Sequence, residues 1–333
     1  MARVGSQALG QLLSVKLTVV LVAAVGLVLL VAPATGLLSA YWLRFLTNMF
    51  MWVGLAGSFN TLYGYGGRVD FGHVVFFGVG ATVTAIGTVQ FGLPWLPSII
   101  IGGLLAVALA YVIGLPTLRL HGAYFAIATW ALAEAIKQLA LILNITGGTY
   151  GLSPPPVLSR EMSYWLMLIM MIAMTVTNLV IQRSKFGYAL RALSESETAA
   201  EVLGINTPRS LLYAFMISAL FPAIIGGIYG LWIGYVYPYD AFDGFKTDQM
   251  VVMTLLGGMG SYLGPVIGAV LIISVFEVLW TYWTNVVYLI FLGALIVFAI
   301  VFLPGGMIGL AKTKRARAWL SKILPSRGTN RNE

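Results

Sequence analysis

Apolar runs of about 20 residues recur along the chain, separated by short polar or glycine-rich intervals, and this pattern predicts ten membrane segments. Their approximate bounds are 17–38, 41–63, 71–90, 95–115, 122–142, 162–182, 210–234, 247–260, 264–283 and 286–303. Lipid offers no partner to a backbone N–H or C=O, so each run must close its hydrogen bonds internally as a helix. A transmembrane β-barrel would instead alternate apolar and polar positions over about ten residues. The runs Val19 to Val31 and Val286 to Leu303 are apolar on every face. The fold expected is therefore an all-α, polytopic transmembrane bundle.

The polar intervals orient that bundle. With both termini in the cytoplasm, the inner intervals hold 15 of the 19 Lys and Arg residues, including Arg68, Arg119, four in 183–209 and seven after residue 303. Only Arg44, Arg160 and Lys246 fall outside, and Lys137 lies within a segment. This satisfies the positive-inside rule. Without 247–260 as a crossing the basic tail would lie on the wrong side, so that segment crosses or a neighbour is re-entrant. The expected division is a permease domain, 1–310, with a cytoplasmic loop at 183–209, and a basic cytoplasmic tail, 311–333. The run 17–38 exceeds a cleaved signal core and reads as a retained first helix.

Composition narrows the function. Of 333 residues, 59% are hydrophobic and 9% charged, with no cysteine and two histidines, His73 and His121. A disulfide frame and a thiolate metal site are excluded, and no cofactor is expected. The net charge of +8 sits in short intervals beside apolar runs, which reads as topology rather than a nucleic-acid face. No nucleophile–base constellation and no GxxxxGK[ST] phosphate loop is present, so the chain is not expected to be an enzyme.

The longest polar interval reads RSKFGYALRALSESETAAEVLGINTPRS, Arg183 to Ser210. Ser194 precedes Glu197 at capping-box spacing, predicting a short helix from about Glu195 to Leu203 with Ala199, Ala200, Val202 and Leu203 on a small apolar face. Gly204 can end it in the left-handed conformation. Such a helix rests on the membrane surface or docks into a cytosolic protein.

That interval resembles the coupling loop of bacterial ATP-binding-cassette (ABC) importer permeases, through Glu197, Ala199, Ala200 and Gly204, with the Glu displaced by one residue. The Gly204-Ile205-Asn206 run brings it closer to branched-chain amino acid permeases. YGYGGRVDFGHVVFFGVGA, Tyr63 to Ala81, resembles the glycine-rich start of the third helix in their M-type subunit, with Arg68 and Asp70 departing from the common residues. LPTLRLHGAYFAIAT from Leu115, Glu134, TGGTYGL from Thr146, LLGGMGSYLGPVIGA from Leu255 and FLPGGMIGL from Phe302 continue the resemblance in family order.

The resemblance implies a permease subunit importing branched-chain amino acids across a bacterial or archaeal inner membrane by alternating access. It implies a second, related permease subunit, two cytosolic ATP-binding subunits and a periplasmic or extracellular solute-binding protein. Urea, short amides and other amino acids stay open as solutes, and a stand-alone secondary transporter is the rival class. Candidate pathway or gate residues are Gly66, Gly67, Asp70, Gly72, His73, Phe76, Glu134, Gly257, Gly258, Gly264 and Gly268. The glycines among them could equally serve helix packing, as the Gly264–Gly268 spacing allows. Both clusters sit on interrupted or short segments, the third and eighth, which are equivalent if the fold is two five-helix repeats. Glu134 and Lys137 are expected to neutralise each other.

Overall fold

The computed structural model describes residues 39–282 together with 290, 293, 294, 297 and 306–308. The expected segments 17–38 and 286–303, both termini and the tail lie outside these residues or nearly so. Every other expected segment coincides with a helix, and no strand occurs among the described residues beyond one isolated bridge, Leu152 to Val236.

The long helices are α1 (Ala40–Gly66), α2 (Val74–Val89), α3 (Trp95–Thr117), α4 (Ala123–Ile142) and α5 (Arg160–Arg183). The interval after α5 folds as α6 (Lys185–Glu195) and α7 (Glu197–Val202). There follow α8 (Thr207–Ile233), a single turn α9 (Pro238–Ala241), α10 (Phe245–Gly257) and α11 (Gly264–Tyr282). Helices α3, α4, α5 and α8 are long and apolar enough to cross a membrane. Their outward side chains, among them Leu104, Val112, Ile127, Trp130 and Val180, are exposed. An apolar surface of that extent needs lipid or protein against it.

Two helices fall short of full thickness. At 1.5 Å per residue, α2 is about 24 Å and α10 about 20 Å long, against a hydrocarbon core of roughly 30 Å. Both are completed by broken backbone, at 67–73 before α2 and at 258–263 after α10.

The core forms where α1 meets its neighbours, through Phe50, Leu55, Phe59, Tyr164, Ile225 and Met250. The most extensive packing joins α2 and α8 to each other, both of them to α3, and α1 to α5 and α8. Helices α10 and α11 pack on each other and on α1. The pairings α2–α8, α3–α8 and α2–α3 are thus matched by α10–α1, α11–α1 and α10–α11.

One end of the bundle gathers the α1–α2 break, the α3–α4 turn, α6, α7 and the α10–α11 break. The other end joins Tyr41 to Glu277, Gln90 to Ile145 and Tyr150 to Tyr235 by hydrogen bonds.

Candidate functional site

The 183–209 interval holds two helices where the sequence suggested one. Ser184 caps α6 by accepting from the Gly187 amide, and Gly187, Leu190 and Leu193 bury the inner face of α6. Ser194 lies inside α6 and donates to the Arg191 carbonyl, so it is not the cap of the second helix. That cap is Ser196, whose extended backbone starts α7 and whose hydroxyl accepts from the Ala199 amide at 3.3 Å. The C-terminus is closed as the sequence suggests. Gly204 takes φ 83°, its amide bonds the Glu201 carbonyl and the Ile205 amide bonds the Ala200 carbonyl, a Schellman pair that satisfies two orphan carbonyls.

Of the expected face, Ala200 is turned inward and the rest is presented. Ala200 is 1% exposed and packs into the bundle's own core with Leu193, Leu211 and Phe215, so it is not offered to a partner. Ala199 faces outward, and beyond it Val202 and Leu203 are 88% and 78% exposed. Two large apolar side chains thus form a small exposed knob at the tip of a capped helix.

Behind the knob, α7 is tied to the bundle by charge. Glu197 accepts from the Arg68 guanidinium at 2.5 Å and lies 3.0 Å from the exposed His121. Arg68 is 5% exposed and also donates to the Leu120 carbonyl at 2.7 Å. A guanidinium this buried needs its counter-charge, since an unpaired one would carry several kcal/mol of uncompensated desolvation. The pair therefore joins the loop, the α3–α4 turn and the α1–α2 break at one point.

The break itself is a buried polar chain. Gly67 leaves α1 at φ 70°, and a Cβ there would press on Ser194 of α6. Asp70 accepts from the Gly72 amide at 3.0 Å and from His73 Nδ1 at 3.1 Å; His73 Nε2 meets the Ser58 hydroxyl at 3.0 Å. All three side chains are fully enclosed, and the Ser58 hydroxyl donates back to the Leu55 carbonyl. The order Asp–His–Ser is that of a hydrolase triad. A hydroxyl sealed inside a helix face has no room for an acyl substrate, so the chain serves structure or conformational change rather than catalysis. Thr247 of α10 accepts from the Val74 amide at 3.1 Å and fixes the start of α2. Phe76 stands edge-on between His73 and Phe215.

The α10–α11 break is held differently. The Asn60 side chain accepts from the Gly260 amide and donates to the Ser261 carbonyl; Gln182 accepts from the Tyr262 amide. Arg191 of α6 donates to the Gly260 carbonyl at 3.1 Å with its guanidinium 5.5 Å from the Tyr65 ring centre. Gly257, Gly264 and Gly268 bring the α10 and α11 backbones into contact, leaving no space for a Cβ. Gly72 is likewise pressed against the Thr129 backbone of α4.

Of the sequence candidates, Gly66, Gly67, Asp70, Gly72, His73 and Phe76 are thus gathered at the first break, and Gly257, Gly258, Gly264 and Gly268 at the second. Glu134 stands apart: it pairs with Lys137 at 2.6 Å, as expected, and that ammonium lies over Tyr239 toward the far end. Sequence reasoning missed Ser58, Asn60, Arg191 and Thr247. Ser58 and Asn60 carried a signal, being polar residues inside an apolar run; the other two are recognised only by contact.

Residues 41–300 match the family described as the permease component of branched-chain amino acid transport systems. The chain is similar to the high-affinity branched-chain amino acid transport system permease protein LivM of Escherichia coli K12, with 29% identity covering 80% of this chain and 69% of that one. A probable branched-chain amino acid permease LivM of Methanocaldococcus jannaschii is 30% identical over 57% of this chain and 59% of its own. The LivH permease protein of Salmonella typhimurium is 32% identical over 44% of this chain and 47% of its own. No solved structure matches.

Proposed function

Because this chain belongs to the family of permease components of branched-chain amino acid transport systems, and is a permease subunit of an ABC importer, we propose that it carries branched-chain amino acids inward across the cytoplasmic membrane by alternating access. In this reading ten segments cross, both termini face the cytoplasm, and the matched helix pairings reflect two five-helix repeats. Similarity to LivM-type and LivH-type proteins alike supports a channel built from this chain and a second, related permease. ATP is hydrolysed by two separate cytosolic subunits, and an extracytoplasmic binding protein delivers solute.

The observation that carries the proposal is the capped knob of Val202 and Leu203 in front of the half-buried Glu197 and the buried Arg68 it pairs with. A cytosolic ATPase grips the knob. When its subunits close on ATP the knob moves, and the ion pair passes that displacement to the α1–α2 break, while Arg191 passes it to the α10–α11 break. Gly66 to Phe76 on one side and Gly257 to Gly268 on the other are the elements that shift to open the route. Arg68 and Asp70, which depart from the family pattern, serve this internal linkage rather than contact with solute.

The rival class, a carrier working alone, draws on the buried Asp70–His73–Ser58 chain, since enclosed ionisable groups suit proton coupling. Uptake in proteoliposomes separates the two. Radiolabelled leucine should accumulate only with ATP, both ATPases and the binding protein present. Accumulation driven by a proton gradient without them would establish the carrier.

A further inference from the structure

At the end of the bundle opposite the loop, the start of α1, the end of α8 and residues at the start of α5 line a cavity of about 580 Å³. Its walls include Arg44 and Arg160 together with Leu43, Leu158, Trp232 and Ile233. The volume lies within the range of small-molecule sites.

Neither guanidinium has a carboxylate partner among the described residues. The acid beside Arg160, Glu161 on the same helix, is turned to solvent and acts on it only through space. The carboxylate of Glu277 accepts from Tyr41 of the cavity lining and pairs with neither arginine. The chain has 11 Asp and Glu, and outside the described residues the only one is Glu333, at the end of the basic tail. Arg44 and Arg160 are also two of the three cations placed on the outer side by charge distribution. Two arginines without a carboxylate partner, both lining one cavity, make a receptor for a negative group from outside.

We infer that this cavity is an outer solute-binding site in which Arg44 and Arg160 hold the carboxylate of an aliphatic amino acid. The inference rests on the proposed transport of branched-chain amino acids. A guanidinium fork matches a carboxylate with two parallel hydrogen bonds. Leu43, Leu158, Trp232 and Ile233 give a branched aliphatic side chain an apolar wall in the same space. Released solute is thereby retained at the mouth of the route before the bundle rocks.

The test uses the assembled complex in nanodiscs, without the binding protein, and measures [14C]leucine binding by scintillation proximity. Wild type should bind leucine weakly, in the millimolar range, and leucinamide, which lacks the carboxylate, should not displace it. Loss of one charge-assisted contact should weaken binding about tenfold or more in Arg44→Gln and in Arg160→Gln. Arg44→Lys, which keeps the charge and loses the fork, should fall between. Unchanged binding in both glutamine variants, or equal displacement by leucinamide, would overturn the inference. So would leucine binding absent from wild type while phosphatidylglycerol is retained in an arginine-dependent way, which would make the cavity a lipid headgroup site. ATP-driven uptake by the wild-type complex with its binding protein is measured in parallel. Leucine uptake without cavity binding removes only this site; uptake of urea but no amino acid removes the transport reading itself.

Discussion

The two breaks in the bundle are built from opposite materials. At 67–73 the backbone is held mainly by ionisable side chains: Glu197 on Arg68, and Asp70 on His73, whose other nitrogen meets Ser58. At 258–263 it is held by a neutral amide, Asn60, by Gln182 and by glycine backbones in direct contact, with Arg191 as the one ionic group among the described residues. The first rests chiefly on side chains meeting side chains, which rotamer changes can re-form. The second cannot move without separating two packed helices. The difference suggests a division of labour, in which the first break flexes and the second moves with α10 and α11 as one block.

The largest expected effect tests the rigid side. Gly268→Leu forces four carbons into the Met253 backbone of α10, where not even a Cβ fits. Overpacking of this kind costs about 1–3 kcal/mol or more, and helices separated by it lose their whole contact. The variant should fail to accumulate as assembled protein, read by detergent-resistant complex on gel filtration. Normal assembly would make the second break the softer one.

Next in size is the proposed docking of the Val202 and Leu203 knob. Leu203→Arg leaves every buried contact intact, since that side chain is exposed, and sets a charge against an apolar partner groove. The variant should insert normally and lose co-purification with the ATPase. Retention would show that α7 only rests on the membrane surface. Ala200→Arg is the contrasting control: at a buried site it should lower the yield of folded bundle before docking is ever tested.

A smaller effect sharpens the flexible side. Ser196→Ala removes the cap of α7 and should cost about 1 kcal/mol of local stability. Hydrogen exchange of the Glu197 to Leu203 amides should rise severalfold, with exchange around Gly260 unchanged. Equal increases at both breaks would mean they open as one unit. Sidedness can be mapped in the same native background, which has no cysteine. Val202→Cys should resist an impermeant thiol reagent in intact cells, and Tyr150→Cys, exposed at the opposite end, should label readily.

The helices and the Gly204 turn were legible in the sequence because each is a local event, an apolar run or a left-handed glycine. The Glu134–Lys137 pair was legible as an i, i+3 spacing. The cap was misplaced because Ser194 and Ser196 compete, and only the packing of Leu190 and Leu193 shows that α6 runs on to Glu195. The orientation of Ala200 was hidden because an interval that looks solvated in sequence is folded down onto Leu211 and Phe215. Least legible was the Glu197–Arg68 pair, whose members are 129 residues apart. Each was singled out by itself, Glu197 in the loop motif and Arg68 as a departure from the common residues, and nothing in the sequence joined them.

That pair is where the proposed coupling is most exposed to test, through a double-mutant cycle read as leucine imported per ATP hydrolysed in proteoliposomes. If Arg68 and Glu197 transmit the motion together, Arg68→Gln, Glu197→Gln and the double variant should each keep ATPase association. All three should lose transport per ATP to the same extent, about tenfold for one charged contact. Wild-type stoichiometry in either single variant, or losses that multiply in the double, would contradict transmission through the pair.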